Sequence, residues 1–272
     1  MDLLNKIIIF FILYVVPLFF LGAISPIHLF LAYAVITICL LFLCLPNVLS
    51  FLGNVDYARG REDTAAGFFR MAILKDTKDP LVYLNYAAFL TKNGRYADAL
   101  THLKTAEMLN TKVASDKNIM LTVATCQWAL GDIDSAITTL NHMRSKYDYI
   151  PPYALSTLGY LHFLKKDYPL ATSYSIRAVE DDPALAQSWD NLGQIYFATS
   201  QFLRAKDAFK KALSLNPSLI DSNYCLGLIY EQKGDKLNAK KFFVKAGECL
   251  TGSLNITKKE DIANKLRKYD CI

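Results

Sequence analysis

The sequence predicts an all-α protein in which two transmembrane helices are followed by an α-solenoid of helical hairpins and a C-terminal capping helix. Two observations lead to this fold class. The stretch from Ile7 to Val55 contains no Asp, Glu, Lys or Arg, whereas charges come every few residues after it. The charged part then repeats one pattern of small and large apolar residues at a period of about 34 residues, which is typical of stacked helical hairpins.

The uncharged stretch is long enough to cross a bilayer twice. A hydrocarbon core about 30 Å thick needs roughly 20 apolar residues of helix. Ser25-Pro26 is the one strong break in the stretch, because proline restricts the residue before it and favours the first turn of a helix. We therefore predict spans from Ile7 to Ile24 and from Ile27 to Leu45, which together form a transmembrane hairpin over residues 1–46.

A cleaved signal peptide is the competing interpretation of this N-terminus. Such a peptide has a basic beginning, a short apolar core and a cleavage site with small residues. Here Lys6 is accompanied by Asp2, and the apolar run continues far beyond the length of a signal peptide. Ala23 and Ser25 have the spacing of a cleavage site, but Pro26 follows directly. These features favour two retained spans.

The charges that flank the spans predict their orientation. Basic residues concentrate on the cytoplasmic side of membrane proteins. Lys6 precedes the first span, Arg59 and Arg61 follow the second, and the turn between the spans is uncharged. We therefore expect both ends in the cytoplasm, as in a protein of the bacterial inner membrane. The cysteines, which form no CxxC pair, suit a reducing compartment.

One unit of the soluble part shows the repeat in its complete form. Its ordered positions are Trp189, Leu192, Gly193, Tyr196, Ala205, Phe209, Ala212 and Pro217. This spacing resembles the signature of the tetratricopeptide repeat family. The same pattern returns in the units around Leu226-Gly227, Leu158-Gly159 and Tyr86-Ala87, and more loosely around Trp128. We predict one degenerate repeat, which begins at the end of the second span, and five clear repeats over residues 47–253.

The resemblance implies that small residues let the two helices of each hairpin approach, while large residues such as Trp189 and Leu192 fill the seam between them. Such hairpins are stable only when stacked, and the last one needs a polar cover. Residues 254–272 are expected to supply this capping helix and a tail. Thr257-Lys258-Lys259-Glu260 matches a capping box at its start.

No known catalytic motif occurs in the chain. It lacks HExxH, GxSxG, a Walker loop and GxGxxG, and its four histidines do not cluster. We therefore predict that the protein is not an enzyme and holds neither a metal nor a cofactor. No small-molecule substrate is expected. Nucleic acid is also not expected, because the pI of 8.7 arises without clustered arginines or a known reading motif.

The family resemblance implies a partner-binding face made by the first helix of each hairpin. Carried onto this sequence, the face comprises Tyr153, Ser156, Tyr160, Gln187, Asp190, Gln194, Phe197, Tyr224 and Glu231. An acidic residue at its centre, Asp190, suggests a protein or peptide partner with a basic residue. Asp190 and Gln194 are expected to point away from the seam, so that replacing both by alanine leaves the fold intact. Tyr160 and Phe163 could equally pack between neighbouring first helices.

Two functions fit these features. The first is a membrane-anchored scaffold or adaptor that binds a protein partner in its groove at the cytoplasmic face. The second is an accessory subunit of a membrane complex, in which the transmembrane hairpin makes the main contacts. The lysines on the second helices of the last hairpins are expected to be solvated. Contact with anionic lipid is the alternative.

Overall fold

The computed structural model describes residue 34 and residues 45–75, 77–110, 112, 116–249 and 256–270, and every regular element in these ranges is an α-helix. The helices are α1 (45–58), α2 (Glu62–Leu74), α3 (Pro80–Lys92), α4 (Tyr96–Leu109), α5 (Lys117–Ala129), α6 (Ile133–Lys146), α7 (Pro152–Leu164), α8 (Tyr168–Asp181), α9 (Ala186–Ala198), α10 (Phe202–Leu215), α11 (Ile220–Gln232), α12 (Lys236–Glu248) and α13 (Lys259–Asp270). Odd-numbered helices from α1 to α11 are the first helices of their hairpins.

The two predicted membrane spans lie almost entirely outside the described residues. Of the first 44 residues only Ala34 is described, so membrane anchoring remains a prediction. Where the structure does describe helices, none of them is both long enough and apolar enough to cross a bilayer.

The chain divides into two compact units, Met1–Asn85 and Tyr86–Ile272. In the first unit, α1 and α2 form a hairpin whose buried Phe69 lies against Gly53. Asn85, on the first half of α3, donates a hydrogen bond of 3.0 Å to the buried hydroxyl of Ser50. The degenerate first repeat therefore forms a helical hairpin like the others.

Close helix contacts in the second unit explain the Leu-Gly pair of the repeat. A Cβ atom on Gly193 would lie 2.5 Å from the ring of Phe209, and one on Gly227 would lie 2.6 Å from the ring of Phe243. Both phenylalanines are fully buried. Because real Cβ atoms do not approach ring carbons so closely, glycine is the residue that lets the second helix bring its aromatic ring into the seam.

The two large residues that the sequence predicts for the seam of α9 and α10 are buried to different extents. Leu192 is buried, as predicted. Trp189 is only half-buried, and its indole N–H donates a hydrogen bond of 2.9 Å to the carbonyl of Pro183 in the preceding loop. Trp189 therefore ties first helix α9 to the loop that precedes it, which satisfies the donor that a fully buried tryptophan would leave unpaired.

Each hairpin turn of the second unit has one residue in the left-handed region. Gly94, Gly131 and Gly234 occupy it at φ values of 72°, 86° and 75°, whereas Lys166 and Ser200 occupy it at 61°. Glycine adopts this conformation without the steric penalty that a Cβ atom brings. The turn geometry is thus the same in all hairpins, but two of them carry residues that are strained there.

Helix α13 begins differently from the sequence expectation. The predicted capping box joined Thr257 to Glu260, but the N–H of Lys258 instead donates to the carboxylate of Asp261 at 3.3 Å. Thr257 is buried, and its N–H donates to Asp221 of α11 at 2.8 Å. This tertiary bond holds Thr257 outside the helix, so α13 starts later than the sequence pattern indicates.

Candidate functional site

A cavity of about 290 Å³ lies between four consecutive first helices, α5, α7, α9 and α11. We call it the first-helix cavity. It is lined by Trp128, Tyr153, Ser156, Thr157, Tyr160, Leu185, Gln187, Asp190, Asn191, Leu219, Ile220 and Asp221. First helices supply most of these residues because equivalent positions of stacked hairpins face the same side of the array.

Aromatic rings form one wall of the first-helix cavity. The rings of Trp128 and Tyr160 meet edge to face, with centroids 5.1 Å apart. Tyr160 is buried, whereas Tyr153 is 37% exposed at the rim. The hydroxyl of Tyr153 donates to Asn118 of α5 at 3.1 Å. This bond and the ring contact join α5 to α7, so the aromatic wall is fixed before any ligand arrives.

Polar side chains that bond one another form the opposite part of the lining. Asp190 is only 2% exposed. It accepts hydrogen bonds from the hydroxyl of Ser222, from Gln194 at 2.6 Å and from Gln187 at 3.4 Å. Asn191 in turn donates to the backbone carbonyl and hydroxyl oxygens of Ser156, at 2.9 and 3.0 Å. These bonds connect α7, α9 and α11 into one polar network.

Two carboxylates of the cavity lack a cationic partner. Burial raises the pKa of Asp190 to about 7, and the charge of Asp221 adds to this, against the opposing effect of the bond from Ser222. Asp221 accepts hydrogen bonds from the backbone N–H groups of Ile256 and Thr257. Across the described ranges, no Lys, Arg or His nitrogen lies within ion-pair distance, 4.0 Å, of either carboxylate. Among the residues that the structure describes, the lining of the cavity therefore has two carboxylates and no cationic partner for them.

Five of the nine residues predicted for partner binding line the first-helix cavity. They are Tyr153, Ser156, Tyr160, Gln187 and Asp190. Tyr160, for which groove and packing were both open, does both, because its ring packs on Trp128 and also lines the cavity. Phe163 does not line it, and lies between Tyr160 and Tyr168 with 6.2 Å between ring centroids on each side.

The other four predicted residues lie elsewhere. Phe197 packs edge to face on Phe202 within its own hairpin, at 5.6 Å. Tyr224 packs against Phe243 at 5.5 Å. Glu231 forms ion pairs with Lys265 and Lys268 of α13. The fourth, Gln194, is buried, and its side-chain amide donates a hydrogen bond to the carboxylate of Asp190. All four side chains thus make contacts within the protein. The role of these four residues in partner binding stays a prediction.

One expectation about the site does not agree with the burial of its residues. Asp190 and Gln194 were expected to point away from the seam, so that both could become alanine without damage to the fold. Both are buried, at 2% and 4% exposure. Their removal would leave the hydroxyl of Ser222 without its acceptor and open a void between α9 and α11. The disagreement arises because equivalent first-helix positions are covered by the next hairpin, which a repeat pattern alone does not reveal.

Sequence reasoning missed several lining residues. Trp128 belongs to the loosest repeat, where the pattern is out of phase by one residue. Leu185 and Leu219 directly precede α9 and α11 at the interval of the repeat, and no role was predicted for them. An apolar residue directly before two successive first helices is the signal that could have found them, because apolar loop residues at a fixed interval indicate a shared contact.

A metal site was not expected, and the described residues contain no group of three or more His, Cys, Asp or Glu placed to hold an ion.

Comparison with known proteins supports the repeat assignment. Residues 193–234 match the family model of the TPR repeat. This segment of the chain is therefore similar to a tetratricopeptide repeat. The matched segment includes the end of α9, all of α10 and all of α11, with the Gly193 and Phe209 contact described above. No curated protein matches the sequence.

Solved structures extend the likeness to most of the chain. A tetratricopeptide repeat protein from Parabacteroides merdae matches with a TM-score of 0.67 at 17% identity, over 82% of this chain and 84% of that one. PilW, a type IV pilus biogenesis factor, matches with a TM-score of 0.63 at 18% identity, over 82% of this chain and 98% of that one. At such identities the likeness shows the fold alone: an all-α array of helical hairpins.

Proposed function

We propose that this protein is a membrane-anchored scaffold whose tetratricopeptide array binds a segment of a partner protein in the first-helix cavity. The observation that carries the proposal is the cavity itself, which is preformed by four hairpins and combines a rigid aromatic wall with buried hydrogen-bonding groups. Pockets that combine apolar walls with a few placed polar groups are the usual form of a binding site.

The anchor in this proposal is the uncharged N-terminal stretch, which has the length and composition of two spans. The array then lies on the cytoplasmic side of a bacterial inner membrane, in keeping with Lys6, Arg59 and Arg61 beside the spans. A Ser214→Cys variant in a background without native cysteines tests this placement. Ser214 is exposed, so an impermeant thiol reagent should label it in opened cells and fail to label it in intact ones.

Photo-crosslinking in the full chain tests where the partner binds. Tyr153, at the rim of the cavity, is replaced by benzoylphenylalanine, and Leu237, 82% exposed on second helix α12, carries the same group in a control chain. A specific partner should crosslink from position 153 and not from position 237. The proposal fails if the same proteins are captured from both positions, or from position 237 alone.

A further inference from the structure

The first-helix cavity is small and has room for a long side chain. Its volume of about 290 Å³ lies at or below the lower limit of roughly 300 Å³ for pockets that enclose small-molecule ligands. Its mouth is bordered by the half-exposed Tyr153 and the exposed Gln187. An extended partner segment could therefore insert a single side chain while the rest of the segment stays on the surface of the first helices.

The walls of the cavity favour a cation over other side chains. Trp128, Tyr153 and Tyr160 present aromatic rings, whose electron-rich faces attract ammonium and guanidinium groups. Asp190 and Asp221 line the same space, and the groups that bond them are neutral hydroxyl, amide and backbone donors. An acidic side chain would meet two carboxylates, and an apolar one would leave their charge uncompensated.

We propose that the first-helix cavity binds one lysine or arginine side chain of the partner segment. The proposal rests on the proposed function and names the chemistry of its ligand. The basic group lies between the aromatic wall and the carboxylate of Asp190, and it supplies the positive charge that the polar network of α7, α9 and α11 lacks.

Binding of a cation should depend on pH through Asp190. The titratable groups that face it are Asp221 and Cys225 of α11 and Tyr160 of α7. Burial raises the pKa of both the Cys225 thiol and the Tyr160 hydroxyl, so these two stay neutral. A bound cation favours the ionised form of Asp190, whose pKa is about 7 in the empty cavity. Affinity should therefore rise as the pH increases through neutrality and level off above it.

Pools of short randomised peptides with a fixed central residue test the inference on the purified full chain. The central residue is arginine, lysine, citrulline, norleucine or glutamate. Citrulline keeps the shape of arginine without its charge. Retention of the arginine and lysine pools should exceed that of the citrulline pool about tenfold at about pH 8, and by less at about pH 6. Asp190→Asn should remove the pH dependence.

Matched variants separate this inference from the proposed function. Gln187→Arg adds a positive charge from the protein itself to the cavity and should abolish the preference for basic pools. Leu237→Arg adds the same charge at an exposed site on α12, outside the cavity, and should retain the preference. Circular dichroism confirms that both variants fold. If wild type retains all pools equally and Trp128→Leu loses this retention, the inference of a bound cation is wrong and the proposed function still holds. Retention of no pool above the level of Trp128→Leu would overturn both.

Discussion

Two parts of the same array bury side chains of different polarity. In residues 86–150, as far as the structure describes them, the buried side chains are aliphatic, aromatic or sulfur-containing, such as Leu103, Cys126 and Leu140. In residues 152–257 the hairpins have the same turns and the same spacing, but they bury many polar side chains as well. These are Ser156, His162, Ser175, Ser188, Asp190, Asn191, Gln194, Asp221, Ser222, Asn223 and Thr257.

The two parts differ in the contacts between hairpins and, in the hairpin of α7 and α8, also in the seam, where the buried Ser175 lies against Gly159. The seams of the next two hairpins are filled by Phe209 and Phe243. Short polar side chains such as Ser156 and Ser222 do not fill the space between first helices as leucine would, and the first-helix cavity lies next to them. Their hydrogen bonds fix the arrangement, since buried polar groups that lose partners are costly. The later hairpins thus exchange part of their apolar packing for a preformed polar site.

The seams should be equally important in both parts, and this is the largest effect we predict. Phe209→Ala in α10 and Leu140→Ala in α6 each remove a fully buried seam residue. We expect losses in the free energy of unfolding of about 3–5 kcal/mol for the phenylalanine and about 2–5 kcal/mol for the leucine, measured by urea denaturation. Leu203→Ala, at a site 71% exposed, is the control and should change little. A mild effect of Phe209→Ala would show that the polar contacts, and not the seam, hold the later hairpins.

Polar burial should make the later hairpins sensitive to pH. The pKa of Asp190 is raised from 3.8 in a free chain to about 7 in the fold. As the pH rises between these values, the unfolded chain loses its proton while the fold keeps it, so the free energy of unfolding falls. The amide side chain of the Asp190→Asn variant cannot ionise. The difference between its free energy of unfolding and that of wild type should therefore grow in favour of the variant by on the order of a few kcal/mol over this window and then stay constant.

The exposed Asp207 provides the control for that measurement. Asp207→Asn, measured in the same pH series of urea denaturations, separates the effect of an Asp-to-Asn change at an exposed site from the effect of burial at Asp190. If the free energies of unfolding of Asp190→Asn and wild type change in parallel from about pH 4 to about pH 8, Asp190 ionises freely in the fold and the polar network carries no strain.

The C-terminal helix should depend on the same polar network. Asp221 accepts the N–H groups of Ile256 and Thr257, which lead into α13. Asp221→Ala leaves these donors unpaired, and we expect a loss of about 1–3 kcal/mol that is concentrated at the C-terminus. Hydrogen exchange should accelerate in residues 256–270 and remain unchanged in α5 and α6. Uniform acceleration along the array would contradict a local role for Asp221.

The smallest predicted effect concerns the turns, which are alike in both parts. Ser200 adopts φ 61°, where the equivalent turn residue Gly234 adopts 75°. Ser200→Gly should raise the free energy of unfolding by about 0.5–1 kcal/mol, because glycine adopts this conformation without strain. Gly234→Ser is the reverse change and should lower stability by a similar amount. Thermal unfolding of both variants beside wild type measures the pair.

The helical hairpins could be predicted because their determinants are local. The order Leu192-Gly193, Ala205 and Phe209 specifies a close seam by size alone, and the structure has that seam. The candidate site was predicted only in part. Tyr153 and Gln187 reach the cavity from positions that the repeat register identifies. Trp128 was missed because its repeat departs from that register.

What the sequence by itself determined is therefore the repeat: its hairpins, their seams and the side of each first helix that faces its neighbours. The spacing of small and large residues along one helix is enough for this, since each hairpin contacts only its nearest neighbours. Only the tertiary structure decided which polar residues are buried. Asp190 lies under Ser222 of the next hairpin, and Asp221 holds the segment that enters α13. Burial, the raised pKa of Asp190 and the cavity all arise from contacts between residues more than thirty positions apart, and a periodic pattern does not specify how completely one repeat covers the next.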